Sequence, residues 1–293
     1  MKRLTPLLLL LLLAGGLIIG VSYLRAPRQT SLSTATPRAL TVTASIQPMA
    51  ALLREIGGER IAVEALLRPG DSPHTHEPSP QAVARVAQSA ALFYVSPALD
   101  GWAARLPARQ RIALLPLLPP SARLDDDPHF WMDPLAAAAM AHPLAQTLSR
   151  LDPAGTAAYH ANAQQFGSRM QALHRELSQT LAATRGRGVV LYHPGLRYLL
   201  RRYDIRCLGI LERSPGMEPS PRDLAQLRDA LSRQTPRALL ASPELSEQAA
   251  QATADALDAR VVWVDELGAT PERQTLTALL RYNARALAGA FGP

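Results

Sequence analysis

Short apolar strands and amphipathic helices alternate twice along this sequence, and that alternation limits the fold to the α/β class. Strands that alternate with helices pair in parallel and carry helices on both faces of the sheet. Each series predicts four strands, at 41–46, 61–67, 91–95 and 112–117 in the first series and at 189–192, 205–211, 238–241 and 261–264 in the second. We therefore expect two Rossmann-like lobes, each a parallel sheet flanked by helices.

The two series share a short motif that precedes a helix. Glu77-Pro-Ser-Pro80 follows the second strand of the first series, and Glu218-Pro-Ser-Pro221 occupies the comparable place in the second. Serine is a favoured N-cap residue, and proline is favoured at the first helical position. The motif therefore predicts helices that begin at Pro80 and Pro221, and it indicates that the second lobe repeats the first.

A long helical region, from about 134 to 185, separates the two series. In its second half apolar residues recur every three or four positions, over a stretch that is longer than a usual crossover helix. This stripe predicts one long helix that joins the lobes. The carboxyl ends of both sheets would then face a shared cleft, which is where ligands bind in open α/β sheets.

The N-terminus has the composition of an export signal. Met1-Lys-Arg is followed by an apolar run from Leu7 to Ile19, and the chain becomes polar at Arg25. We expect residues 1–24 to be a signal peptide or an uncleaved signal anchor, because the apolar stretch approaches the length that spans a bilayer. Residues 25–39 are then a linker, followed by an N-terminal lobe at 40–150, the linking helix at 151–186 and a C-terminal lobe at 187–293. These assignments predict a periplasmic protein, free or tethered to the inner membrane.

The formal net charge of +7 does not indicate a nucleic-acid-binding protein. Lys2 is the only lysine, and the arginines are scattered over predicted helix faces rather than clustered. Aromatic residues make up only 5% of the chain and do not interleave with basic ones, so we expect no nucleic acid partner. The single cysteine, Cys207, has no partner for an internal disulfide, and we interpret it as a small buried hydrophobe.

The seven histidines divide by their place in the predicted fold. Those on predicted helices, which we expect to face solvent, are His142, His160 and His174. Those in loops at predicted strand ends are His74, His76, His129 and His193. Imidazole nitrogens suit zinc, and Asp265 at the end of the last strand is a candidate carboxylate ligand. From spacing alone, metal binding and ordinary solvent exposure explain these residues equally well.

Several motifs then occur in a characteristic order. They are strand-Pro-helix-Ile56-Gly-Gly58, Leu67-x-Pro-Gly-x-x-Pro-His-x-x-Glu-Pro-Ser-Pro80, Asp127-Pro-His-Phe-Trp-Met-Asp-Pro134, Tyr192-His-Pro194, Ser214-Pro-Gly-Met-Glu-Pro-Ser-Pro221 and Val264-Asp-Glu-Leu-Gly268. In these motifs the chain, from about residue 40 to the C-terminus, resembles the zinc/manganese solute-binding proteins of ABC transporters, the cluster A-I or TroA-like receptors.

The resemblance implies a metal-binding receptor without catalytic activity. Carried over by position, the ligands that it implies are His74, His129, His193 and Asp265, with the metal held between two lobes that a rigid helix bridges. The protein would be a monomer that hands the ion to an ABC permease in the inner membrane. Histidine at position 193 favours zinc, and manganese is the alternative.

Two features depart from the family pattern. His76 occupies a position that is usually aromatic, and the chain lacks the histidine- and acid-rich loop that many zinc-type members insert. We expect His74 to bind the metal and His76 to be an auxiliary residue or gate. Two other functions stay open: a zinc-dependent hydrolase that uses the His74-Thr-His76 pair, and a metal-binding adhesion or interaction protein with the same fold. The implied ligand set argues against a hydrolase, because four protein ligands would leave no open position on the metal for a catalytic water.

Overall fold

The computed structural model describes residues 39–291, apart from 213–218, 232–235, 237 and 244. The expected signal segment at 1–24, the linker up to residue 38 and Glu218 of the repeated motif lie outside this part of the chain. Within it, no helix combines the length and the apolar composition that crossing a membrane requires.

Two four-stranded parallel sheets form the two lobes. The strands of the N-terminal lobe are β1 (Leu40–Ala44), β2 (Ile61–Ala65), β3 (Ala91–Tyr94) and β4 (Arg111–Ala113). Those of the C-terminal lobe are β5 (Gly188–Leu191), β6 (Arg206–Ile210), β7 (Ala238–Ala241) and β8 (Arg260–Trp263). The strand orders are β2-β1-β3-β4 and β6-β5-β7-β8, so the second lobe repeats the topology of the first. The predicted fold class is confirmed, whereas the lobe limits at residues 150 and 187 stay predictions.

Helices cover both sheets. They are α1 (Gln47–Gly57), α2 (Pro80–Gln88), α3 (Pro97–Asp100), α4 (Pro134–Leu151), α5 (Thr156–Thr180), α6 (Arg197–Arg202), α7 (Pro221–Ala230), α8 (Glu247–Ala256) and α9 (Leu276–Phe291). The Ser-Pro motif starts two of them, as predicted. The hydroxyl of Ser79 accepts a hydrogen bond from the backbone of Ala82 in α2, and Ser220 does the same with Asp223 in α7.

The predicted helical region at 134–185 consists of two α-helices, and the apolar stripe in its second half forms one long helix, as predicted, whereas the limits of 151–186 stay predictions. The break falls at Asp152-Pro153, and a residue before proline is disfavoured in the helical conformation. The linking helix is therefore α5, which packs along α1 and α4 and also contacts α9, so it touches both lobes. Its buried stripe is the predicted one and comprises Tyr159, Ala163, Phe166, Met170, Leu173 and Leu177.

Several polar contacts join the lobes beside this shared core, and three of them involve the loop that leads to α4. They run from Trp131 Nε1 to the carbonyl of Glu266 at 2.7 Å, from the backbone N–H of Leu124 to Tyr198 Oη at 2.8 Å, and from the Arg202 guanidinium to the Asp133 carboxylate. Hydrogen bonds have strict geometry. These contacts therefore hold the loop at 124–133 in a fixed position against the C-terminal lobe.

Cys207 is exposed, which corrects its interpretation as a buried hydrophobe. It lies on β6, the strand at the edge of the second sheet. An edge strand has a neighbouring strand on one side only. Fewer groups therefore cover its side chains than cover those of the central strands.

Candidate metal centre

Three predicted ligands meet where the carboxyl ends of the two sheets face each other. His74 lies in the loop after β2, His129 in the loop between β4 and α4, and His193 directly after β5. One ligand nitrogen from each of the three lies within 4.8 Å of the other two. The ring centroid of His193 is 5.2 Å from that of His74 and 5.3 Å from that of His129. Two loops of the N-terminal lobe and one of the C-terminal lobe thus supply the group.

Carboxylates orient two of the rings by their Nδ1 atoms. His129 Nδ1 lies 2.8 Å from Asp127 Oδ1, and His193 Nδ1 contacts Glu212 Oε2. Their Nε2 atoms therefore point toward each other, 3.4 Å apart. His74 Nε2 is buried and has no hydrogen-bond partner among the described residues. An imidazole that binds a metal through one nitrogen commonly donates the other N–H to a carboxylate or a carbonyl, and the pairs with Asp127 and Glu212 fit that pattern.

The electrostatics of the site favour neutral imidazoles. Burial lowers the pKa of His74 to about 4, and the neighbouring His193 and His129 act in the same direction. Burial also lowers the pKa of His129, although its contact with Asp127 opposes the shift. A divalent cation binds only the neutral form of imidazole. His74 and His129 are therefore in the form that can act as ligands.

Asp265, the fourth predicted ligand, is held elsewhere. Its carboxylate accepts hydrogen bonds from the backbone N–H groups of residues 267–269 at 2.8–2.9 Å. It also pairs with Arg273 at 3.1 Å. It is not among the groups whose ligand atoms come within 4.8 Å of one another. Asp265 thus lies outside the group of three histidines, and its role as a ligand stays a prediction.

Three carboxylates that the sequence did not assign to the site lie against the histidines. They are Asp127 beside His129, Glu212 beside His193 Nδ1, and Glu266, whose Oε2 lies 3.6 Å from His193 Nε2. Signals for them exist in the sequence, because Glu212 and Glu266 follow the strands β6 and β8 closely and Asp127 is two residues before His129. Position along the chain, however, does not tell which side of an imidazole a carboxylate will reach.

His76 lies apart from the three converging histidines. Its Nδ1 is 3.3 Å from Asp71 Oδ2, and its ring meets Trp102 edge-on with centroids 4.8 Å apart. Trp102 also donates from Nε1 to the carbonyl of Pro73 at 2.9 Å, beside His74. His76 thus packs within the loop that carries His74. An auxiliary role for it stays a prediction.

A family model and several known proteins match the sequence of this chain. The family model described as ZnuA, zinc-uptake complex component A, periplasmic, matches residues 42–290. The high-affinity zinc uptake system protein ZnuA of Brucella abortus (strain 2308) is 27% identical over 143 residues, which are 49% of this chain and 43% of that protein. The chain thus aligns with less than half the length of this relative. The protein of the same name from Paracoccus denitrificans is 25% identical, with 86% of this chain and 91% of that protein covered.

Solved structures resemble the chain over most of its length. A crystal structure of ZnuA has a TM-score of 0.75 and 27% identity, and the match covers 87% of this chain and all (100%) of that one. The laminin-binding protein Lmb of Streptococcus agalactiae has the same TM-score of 0.75, 26% identity and the same coverage, 87% and 100%. That protein is described as bifunctional, with adhesin and metal transporting activity.

Proposed function

The chain belongs to the ZnuA family of periplasmic zinc-uptake components, and we propose that it binds a divalent transition metal in the periplasm and delivers it to an ABC permease for import. The observation that carries this proposal is the convergence of His74, His129 and His193, from both lobes, on one point. Relatives named as zinc uptake proteins support the same function. The partner is a permease in the inner membrane, and the receptor acts as a monomer.

Zinc is the favoured cargo, and manganese is the alternative. Imidazole suits zinc, whereas carboxylate, carbonyl and water ligands suit manganese. The lowered pKa values of His74 and His129 keep these two imidazoles neutral and able to bind a cation. The donor set is therefore better matched to zinc.

The two lobes act together in binding and release. His74 and His129 belong to the N-terminal lobe and His193 to the C-terminal lobe, so an ion held by all three links the lobes. Asp127 and Glu212 keep the rings oriented and accept their Nδ1 protons. Release then requires the permease to separate the ligands of one lobe from those of the other. Such a receptor changes no covalent bond in its cargo, and we infer that the chain is not an enzyme.

An adhesive function is the second candidate, because Lmb combines adhesin and metal transporting activity on a similar fold. Binding of the purified chain to immobilised laminin, measured with and without zinc, tests it. Laminin binding that survives the loss of metal binding would establish adhesion as a separate activity.

Metal titration tests the proposed function. Metal-free protein should bind one zinc ion in competition with a chromophoric chelator, and more weakly one manganese ion. His129→Ala should weaken zinc binding by at least the 10–100-fold that losing an outer-shell partner costs. His142→Ala is the matched control, since His142 is exposed on α4 and bonds Gln146. Absence of zinc binding, or equal losses in both variants, would contradict the proposal.

A further inference from the structure

We propose that Trp102 and Asp100 position His74 for metal binding through the 95–102 turn, the segment that follows β3, an inference that rests on the proposed function. Carboxylates at Nδ1 orient the rings of His129 and His193. For His74 the backbone takes this role, because its ring forms a hydrogen bond with the backbone of Ala98 in α3. The 95–102 turn therefore decides where the His74 ring lies.

The hydrogen bond with Ala98 fixes which nitrogen of His74 carries the proton. Burial lowers the pKa of His74, and this bond opposes the shift, so it stabilises the protonated ring. The imidazole is therefore the donor and the carbonyl of Ala98 the acceptor. Nε2 of His74 has no hydrogen-bond partner among the described residues, which leaves Nδ1 as the donor. A neutral imidazole has one N–H and one lone pair, and the lone pair is then on Nε2, where a metal can accept it.

Trp102 holds the backbone on either side of His74. Its Nε1 donates to the carbonyl of Pro73 at 2.9 Å, and both Trp102 and Pro73 are buried. The ring of Trp102 also meets that of His76 edge-on, and His76 Nδ1 lies 3.3 Å from Asp71 Oδ2. Trp102 thus contacts the residue before His74 and the second residue after it, which restricts the backbone from which the imidazole extends.

Asp100 anchors the 95–102 turn to the N-terminal sheet. Its Oδ2 accepts the backbone N–H of Val95 at 2.8 Å, and its Oδ1 accepts that of Ser96 at 2.9 Å. The carbonyl of Val95 in turn accepts the backbone N–H of Leu115 at 3.0 Å, just after β4. Asp100 is 0% exposed, and a buried carboxylate is costly unless hydrogen bonds satisfy it. Its bonds therefore fix α3, and with it the carbonyl of Ala98, against the sheet.

The partner of His74 differs in charge from the partners of the other two histidines. A hydrogen bond to a carboxylate is roughly twice as strong as one to a neutral carbonyl. The bond with Ala98 therefore holds the His74 ring less firmly than Asp127 holds His129. The position of His74 depends more on the surrounding backbone, which Trp102 and Asp100 fix at two points.

Zinc affinities of two variants test the inference, measured by chelator competition. Trp102→Phe removes the N–H donor and keeps an aromatic ring. Asp100→Asn keeps the size of the side chain but offers one carbonyl oxygen to two N–H groups that bond separate oxygens in the wild type. Each should lose about 10-fold in affinity, the lower end of the range for an outer-shell partner. Asp229→Asn, whose side chain is 79% exposed, is the control and should match the wild type.

The nitrogen signals of the His74 ring separate positioning from a merely structural role. Long-range proton–nitrogen correlation spectra of the metal-free protein, assigned with His74→Ala, should show a protonated Nδ1 and an unprotonated Nε2 in the wild type. In Trp102→Phe and Asp100→Asn these signals should shift or split, because the ring samples other positions. A structural role alone would lower the thermal midpoint and leave the signals unchanged.

A wild-type His74 that carries its proton on Nε2 would overturn the inference. An affinity within about threefold of the wild type in either folded variant, or an affinity loss with unchanged His74 signals, would overturn it as well. If Asp100→Asn does not fold, Trp102→Phe alone decides. Wild-type protein that binds no zinc would instead refute the proposed function, and the spectra of the metal-free protein keep the two failures distinguishable.

Discussion

Asp127 should set both the orientation and the basicity of His129, and Asp127→Asn should therefore weaken zinc binding. Asp127 Oδ1 accepts the backbone N–H of His129 at 2.9 Å and lies 2.8 Å from its Nδ1. The two side chains are only 1% and 4% exposed, so water cannot replace the carboxylate. Asparagine keeps the shape but removes the charge that holds the Nδ1 proton. Loss of such a partner costs about 10–100-fold in metal affinity, or about 1.4–2.7 kcal/mol of binding free energy.

Chelator competition at fixed pH and ionic strength measures this loss, with Asp125→Asn as the control. Asp125 undergoes the same chemical change two residues away, and its side chain is 81% exposed. Its φ of 49° is a conformation that asparagine tolerates well. We expect the control to stay within about threefold of the wild type. Equal affinities for wild type and Asp127→Asn would refute the orienting role, and thermal midpoints of the metal-free proteins separate lost affinity from lost folding.

Three further predictions concern stability. Arg202→Met breaks the inter-lobe pair with Asp133 and should lower the free energy of unfolding by about 1–3 kcal/mol. This loss is smaller than that of a fully buried pair, because Arg202 is 35% exposed. Thermal unfolding measures it, with Arg201→Met as the control. The hydroxyl of Tyr159 lowers the pKa of Asp152, so Asp152 stabilises the fold above about pH 4 and loses that contribution as pH falls through its folded-state pKa. The difference in thermal midpoint between wild type and Asp152→Asn should therefore shrink from pH 7 to pH 3. Zinc at 100 times its Kd should stabilise the protein by about 2.7 kcal/mol and raise its thermal midpoint. A chelator should return the midpoint to that of the metal-free protein.

Most of the fold could be predicted because its signals are local. A strand or a helix that buries one face repeats its apolar residues with a period that one segment reveals by itself. The Ser-Pro caps of α2 and α7 are equally local, since serine bonds a backbone N–H three residues on. The break at Asp152-Pro153 has a local signal too, because the residue before a proline is disfavoured in the helical conformation.

The sequence by itself determined which loops reach the site, and only the tertiary structure decided what each side chain does there. The strand order brings His74, His129 and His193 together. Their place at strand ends left metal binding and solvent exposure open, and the family resemblance implied that they are ligands. Asp265 and Glu266 are neighbours, however, and a turn of backbone amides captures one carboxylate while the other reaches His193. Such a choice depends on distances of a few tenths of an ångström between groups far apart in the chain, and those distances exist only after the lobes have packed.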